Sequence, residues 1–246
     1  MLDVTQRLKS LDSFNPLGET SLKELSSHFE IVYVKNREIL FKEDTPIQDL
    51  YIVLYGSFKI QKKGSNSSPV ILNFLNRGEF LGIAMAGLTY PVYPATAVAN
   101  EDAALLRFSR NYFLNVLMKI DSVRATVTRQ ISERFLEFQH DRCMENVRTH
   151  QRVADLLLRL LDRQGEKSGS QILIPLTRKD IAQRVGTKAE TVIRILSIWN
   201  KKGWIKTVDR HIAIINYQQL KEVRDERTPE YTQVATSDDF EDVEPA

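Results

Sequence analysis

The stretch Leu176-Thr-Arg-Lys-Asp-Ile-Ala-Gln-Arg-Val-Gly-Thr-Lys-Ala-Glu-Thr-Val-Ile-Arg-Ile-Leu196 reads as two short helices folded about a glycine, a helix-turn-helix. Ala182 is small enough for the second helix to cross the first closely, and Gly186 can take a positive φ between them without a Cβ penalty. Val192, Ile195 and Leu196 give the second helix an apolar face toward the first. Lys188, Ala189, Glu190, Ile193 and Arg194 are left for a groove. An ordinary helical hairpin would satisfy the same spacing, so the flanking residues decide. The run Trp199 to Ile215 contains a turn and then two short apolar runs around Asp209-Arg210, the layout of a wing. A winged helix-turn-helix points to DNA.

Charge agrees. Between Ile174 and His211 nine Lys and Arg (178, 179, 184, 188, 194, 201, 202, 206, 210) face three acids (180, 190, 209), a local charge of +6 in a chain that carries only +2. Concentrated positive charge is what phosphate binding requires. The residues expected at the DNA are Arg178, Lys179, Lys188, Ala189, Glu190, Thr191, Arg194, Lys201, Lys202 and Arg210.

The chain of 246 residues, 42% hydrophobic, can bury two modest cores. No apolar run approaches the roughly 18 to 20 residues of a membrane span. The start Met1-Leu-Asp-Val-Thr-Gln-Arg lacks the basic-then-apolar order of a signal peptide. The expectation is a cytoplasmic protein with no membrane partner. A lone Cys143, expected on a helix and at least half-buried, supplies neither a disulfide nor a thiolate cluster. Histidines 28, 140, 150 and 211 have no metal-ligand spacing, so no metal site is expected. There is no nucleophile signature and no phosphate-cradling glycine loop, hence no enzyme.

Residues 1 to about 30 form a helical lead-in, with Ser21 and Glu24 fitting a capping box. From Glu30 to Phe108 short apolar runs alternate with turns: Ile31–Val34, Glu38–Phe41, Leu50–Leu54, Ser57–Ile60, Val70–Phe74, Thr96–Ala99 and Ala104–Phe108. Seven or more strands at this spacing indicate a sandwich, jelly roll or barrel. Lys63-Gly-Ser-Asn-Ser-Ser is a hairpin turn and Ser109 to Lys119 a short helix. Asp121 to about Asn146 is a long helix whose stripe Val123, Val127, Ile131, Phe135, Phe138 is close to a coiled-coil seam; packing on the β body is the alternative, and the expectation is a homodimer interface along it. Arg148 to Arg163 is amphipathic, Ile172-Leu-Ile-Pro is a short strand, Thr177 caps the first motif helix, and Tyr217 to Val223 is a last helical turn or two. Residues 224–246 carry eight acids against two arginines, −6, and are expected to form a disordered acidic tail, which either only solubilises the chain or competes with DNA for the basic face.

The expected class is therefore α+β: a β-roll with its helical lead-in over 1–120, a dimerisation helix over 121–147, the winged motif over 148–223 and the tail over 224–246. In this order the pieces resemble the CRP/FNR family of bacterial transcription regulators. The most specific matches are Asp49-Leu-Tyr-Ile-Val-Leu-Tyr-Gly-Ser-Phe-Lys-Ile, Arg77-Gly-Glu-Phe-Leu-Gly, Tyr93-Pro-Ala-Thr-Ala-Val-Ala and the motif itself.

The resemblance implies a homodimer with a cyclic-nucleotide-binding-like sensor, recognition helices in successive major grooves, and RNA polymerase as a partner if the protein activates. In the family's cyclic-AMP-binding members a Glu follows the second Gly of the phosphate-binding cassette and an Arg precedes a Ser or Thr. Here Ile83 follows Gly82 and Ala95 precedes Thr96. A buried cyclic phosphate without its Arg is an unpaired anion, so cyclic AMP bound in the usual way is not expected. Any other ligand would contact Gly82, Ile83, Ala84, Met85, Tyr93, Ala95 and Thr96. The apolar, aromatic segment Ala84 to Pro94 is closer to the FNR branch, whose oxygen-sensing iron–sulfur cluster needs four cysteines, three more than this chain has.

At the recognition helix the family pattern is met at Glu190, Thr191 and Arg194, with Ala189 at the first position. Arg194 would read a guanine and Glu190 a cytosine, with a thymine methyl against Ala189. The implied site on double-stranded DNA is an inverted repeat of TGA-like half-sites. Thr187 with Glu190 also fits a capping box, which would make Glu190 structural. The competing function class is a ligand- or protein-sensing adaptor with a vestigial helix-turn-helix.

Overall fold

The computed structural model describes residues 3–64, 68–163, 171–172 and 174–226. Two short helices, α1 (Val4–Lys9) and α2 (Glu19–Ser26), lead in. α2 begins two residues before Ser21, with Gly18 as N-cap and no side-chain cap, so the Ser21–Glu24 capping box does not form.

Eight strands follow: β1 (Glu30–Val34), β2 (Ile39–Phe41), β3 (Asp49–Tyr55), β4 (Phe58–Lys63), β5 (Pro69–Leu75), β6 (Phe80–Leu81), β7 (Thr96–Ala99) and β8 (Ala103–Ser109). They make two four-stranded sheets, ordered β1-β8-β3-β6 and β2-β7-β4-β5, every strand pair antiparallel. This is the expected roll, with β6 added. Its two residues are too short to show an alternation, and they pair only with Tyr51 and Ile52. Residues 65–67 of the expected hairpin turn lie outside the described residues.

Between the sheets Phe41 stacks on Tyr93 with ring centroids 3.9 Å apart, and Tyr93 donates its hydroxyl to the Asp49 carbonyl at 2.6 Å. Burial raises the Tyr93 phenol far above its ordinary value, so it remains a donor. Gly82, at φ +85°, lies beneath this ring: a Cβ there would stand 2.8 Å from Leu50 Cδ2 and 3.0 Å from Tyr93 Cε1.

Helix α3 (Arg110–Asn115), capped by the Ser109 hydroxyl, leads to α4 (Asp121–Cys143), 23 residues and about 35 Å long. Its apolar stripe changes partner part-way. Val123 and Val127 are fully buried in the roll's core, which corrects their expected place at a dimer interface. Polar contacts with the roll follow: Gln130 Oε1 accepts from the Phe80 N–H at 3.0 Å and its Nε2 donates to the Gly78 carbonyl at 3.1 Å, and Arg134 donates to the Phe80 carbonyl at 2.8 Å. Beyond Gln130, Ile131, Phe135 and Phe138 are exposed, together with Leu136, which lies off the simple stripe. Cys143, the last residue of α4, is exposed rather than half-buried.

Helix α5 (Thr149–Asp162) opens the C-terminal domain, followed by α6 (Arg178–Val185), α7 (Ala189–Lys201), the ribbon β9 (Ile205–Val208) and β10 (His211–Ile214), and α8 (Tyr217–Asp225). Residues 164–170 lie outside the described residues. Of the strand expected at Ile172, the described residues show a bridge between Gln171 and Ala213. Arg224 and Asp225 belong to α8, and the expected tail lies outside the described residues from 227 onward.

Gly82 and Gly186, both at positive φ, predict different tolerances. Gly82→Ala meets both strain and a clash and is expected to lose about 1–3 kcal/mol. Gly186→Asn, at φ +70° with no atom within 4 Å of a new Cβ, is expected to lose less than about 1 kcal/mol. Urea unfolding midpoints check the pair, and the reverse order would contradict this account of the turns.

Candidate nucleic-acid interface

The N-terminus of α6 is fixed by a reciprocal capping box: the Thr177 hydroxyl accepts from the Asp180 N–H at 3.1 Å, and the Asp180 carboxylate accepts from the Thr177 N–H at 3.0 Å. Gly186 then takes the left-handed conformation, and its N–H donates to the Ala182 carbonyl. The turn delivers α7 across α6. Val192, Leu196 and Trp199 recur at helical spacing and are buried against α5 and α6, each contributing about 1.5–3 kcal/mol.

The opposite face of α7 carries Lys188, Glu190, Ile193, Arg194, Ser197, Ile198 and Lys201 into solvent. Lys188, Glu190, Arg194 and Lys201 make no side-chain hydrogen bond or ion pair among the described residues, and neither does exposed Lys179 on α6. Ala189 and Thr191 are half-buried at the start of the helix. Helix α7 is capped by Lys188 with no side-chain cap bond. Thr187 and Glu190 therefore do not form a box, and Glu190 is free of that structural role.

Three residues of the expected DNA face are engaged within the chain. Arg178 Nη2 donates to Thr207 Oγ1 at 3.2 Å, and burial lowers its pKa without discharging it. Lys202 lies over the Trp204 ring at 4.5 Å. Arg210 sits with Asp209 at the wing tip, both at positive φ as a two-residue hairpin turn demands, and donates to the Asn100 carbonyl of the roll at 3.3 Å.

The whole motif is docked on the roll. Ile71 and Phe74 of β5 belong to the same apolar cluster as Leu157, Ile181 and Trp199. Asn100, buried, donates to the Pro175 carbonyl at 2.6 Å. Lys59 of β4 reaches Asp180 at 2.8 Å, a largely buried pair. Sequence spacing shows none of these contacts, since each joins residues more than 70 positions apart.

Residues 31–120 match the family description "Cyclic nucleotide-binding domain", and residues 151–223 match "Crp-like helix-turn-helix domain". The chain belongs to the CRP/FNR family of transcription regulators. Curated CRP/FNR relatives include the transcriptional regulatory protein btr of Bordetella pertussis, 26% identical over 79% of this chain and 81% of that protein. Another is the cAMP-activated global transcriptional regulator CRP of Salmonella typhimurium, 27% identical over 81% of this chain and 96% of its own. The fold is also that of FixK2 from Bradyrhizobium japonicum, with TM-score 0.69 at 22% identity, covering 79% of this chain and 96% of that one. This is a family of DNA-binding regulators and not of enzymes.

The roll residues named from the resemblance separate in the CRP/FNR fold. Gly82, Ala84 and Ala95 line a large cavity between the roll, α4 and the C-terminal domain. Ile83 and Tyr93 are buried in the core, Met85 packs against it, and Thr96 Oγ1 accepts from the Glu43 N–H at 3.0 Å. Ile83 and Ala95 are apolar and buried.

Burial raises the Asp180 carboxyl, but Lys59, the Thr177 hydroxyl and the Thr177 N–H outweigh it, so it titrates below its ordinary value. A carboxyl depressed by folding contributes stability that is present above an unfolded pKa of about 4 and lost as pH falls through the lower folded value. Lys59→Ala is expected to lose about 2–4 kcal/mol at pH 7 and to flatten the fall in unfolding midpoint below pH 4. An unchanged acid limb would contradict this assignment.

Proposed function

We propose that this CRP/FNR regulator works as a homodimer that reads an inverted repeat of double-stranded DNA through α7, and that its roll senses a signal other than conventionally bound cyclic AMP. The observation that carries the reading is the uncommitted polar face of α7: Glu190 and Arg194 are exposed, unpaired among the described residues and one turn apart. Arg194 donates to O6 and N7 of a guanine, Glu190 accepts from a cytosine N4, and Ala189 meets a thymine methyl. Lys179, Lys188 and Lys201 flank them as phosphate contacts.

Dimerisation is supported by the exposed side chains Ile131, Phe135 and Phe138, with Phe135 and Phe138 58% and 63% accessible. A row of aromatic residues in water on a helix bordered by charged side chains is an interface signature. Two chains paired there would place two recognition helices for half-sites about one helical turn apart. Among the described residues no helix is long and apolar enough to cross a membrane.

In a selection from random duplexes the enriched site is expected to be an inverted repeat with a TGA-like core. Arg194→Ala is expected to lose about 1–3 kcal/mol at the guanine, and Glu190→Ala to relax one base pair with thermal stability unchanged. Equal weakening on every duplex would make Arg194 a phosphate contact instead. Phe135→Asp with Phe138→Asp is expected to give monomers in sedimentation equilibrium, with the roll still folded. Dimers of the double variant would move the interface elsewhere.

A further inference from the structure

The cavity between the roll, α4 and the C-terminal domain is large, about 810 Å³, near the upper end of small-molecule sites. Its walls come from three parts of the chain. Val70 and Leu72 project from β5, Phe138 from α4 and Leu156 from α5, while Val185 and Gly186 are the turn of the helix-turn-helix itself. Val70 and Leu72 are each 43% exposed. Apolar side chains left wet inside a concavity are stabilised by an apolar occupant.

The charged groups on the wall cancel in pairs, with one exception. Asp141 is held by Arg159 and Arg184, Asp155 by Arg159 and His140, Glu137 by Arg163, and Lys62 faces Glu43. Arg134 faces Glu79 at 3.8 Å and Arg142 faces Glu145 at 3.6 Å. Arg152 has no carboxylate within ion-pair distance among the described residues. Its Nη1 donates to the Glu145 and Val147 carbonyls at 3.0 and 3.1 Å, and its Nε is buried without a partner. A guanidinium with an unused buried donor at the edge of an apolar cavity has the chemistry of an anion seat.

We propose that this cavity binds an amphiphile with one anionic head, carboxylate or phosphate, the head on Arg152 and the apolar body along Val70, Leu72 and Leu156. Such an occupant touches the helix-turn-helix turn directly, so it acts on the reader as a wedge between β5 and α6. The inference rests on the reading of the roll as a sensor for something other than cyclic AMP, and it names the class of that signal.

The test is calorimetric titration of the full chain with dodecanoate, dodecyl phosphate and 1-dodecanol, each below its aggregation limit. Both anions are expected to bind at micromolar concentration and the alcohol at least about tenfold more weakly. The tighter of the two anions identifies the head group. Arg152→Gln is expected to erase the preference for the anions, and Arg152→Lys to keep part of it. Leu72→Asp, at an exposed position that does not threaten folding, is expected to abolish binding of all three. Absence of binding by both anions, equal binding of the alcohol, or binding that survives both Arg152→Gln and Leu72→Asp would overturn the proposal. Gel shifts of the ligand-free chain on its selected duplex test the DNA reading separately, so either can fail while the other stands.

Discussion

The carboxylate of Asp141 lies between two arginines of the C-terminal domain, 3.0 Å from Arg159 on α5 and 2.7 Å from Arg184 on α6. Much of the molecule depends on that clasp. The first turns of α4 are welded to the roll through Val123, Val127 and Gln130, and its last turns hold the helix-turn-helix through Asp141. Arg184 keeps only 8% of its side chain exposed, so losing its partner would leave a charge poorly solvated and uncompensated. Helix α4 is therefore a rigid lever with a fixed end in the sensor and a gripping end in the reader.

Around the clasp, the β5 side chains Ile71 and Phe74 enter the C-terminal core, Lys59 completes the polar cluster at the start of α6, and Asn100 holds both Pro175 and the wing tip. The polar face of α7 stays open while the wing tip is tied to the roll. Recognition and restraint sit on separate elements of one domain. A change in the roll or in the cavity beneath it can reach the wing and α6 without disturbing the exposed polar face of α7.

Most of the fold was legible because its elements obey local rules. Alternation gave seven strands of the roll, and Thr177, Gly186 and the Asp209-Arg210 turn marked the ends of the motif's parts. What escaped was whatever depends on the partner of a face. The spacing Val123, Val127, Ile131, Phe135, Phe138 shows that one side of α4 is apolar. It does not show that the first two meet the roll and the last three meet water. Thr187 and Glu190 have the spacing of a capping box, yet the helix starts one residue later than the box requires, at a Lys188 cap, and the pair never closes. Ser21 fails similarly, because Gly18 starts α2 first. Arg152, the unpaired guanidinium of the cavity, had no signal at all: it is one of many arginines until the positions of the carboxylates are known.

The central claim is that α4 holds the reader through Asp141. A double-mutant cycle on Asp141→Ala and Arg184→Ala, read by hydrogen exchange of the α6 and α7 amides, tests it directly. Each single change is expected to speed exchange in both helices, and the pair to show a coupling of about 1–2 kcal/mol. Additive effects, or exchange in α6 and α7 that ignores Asp141, would contradict the account.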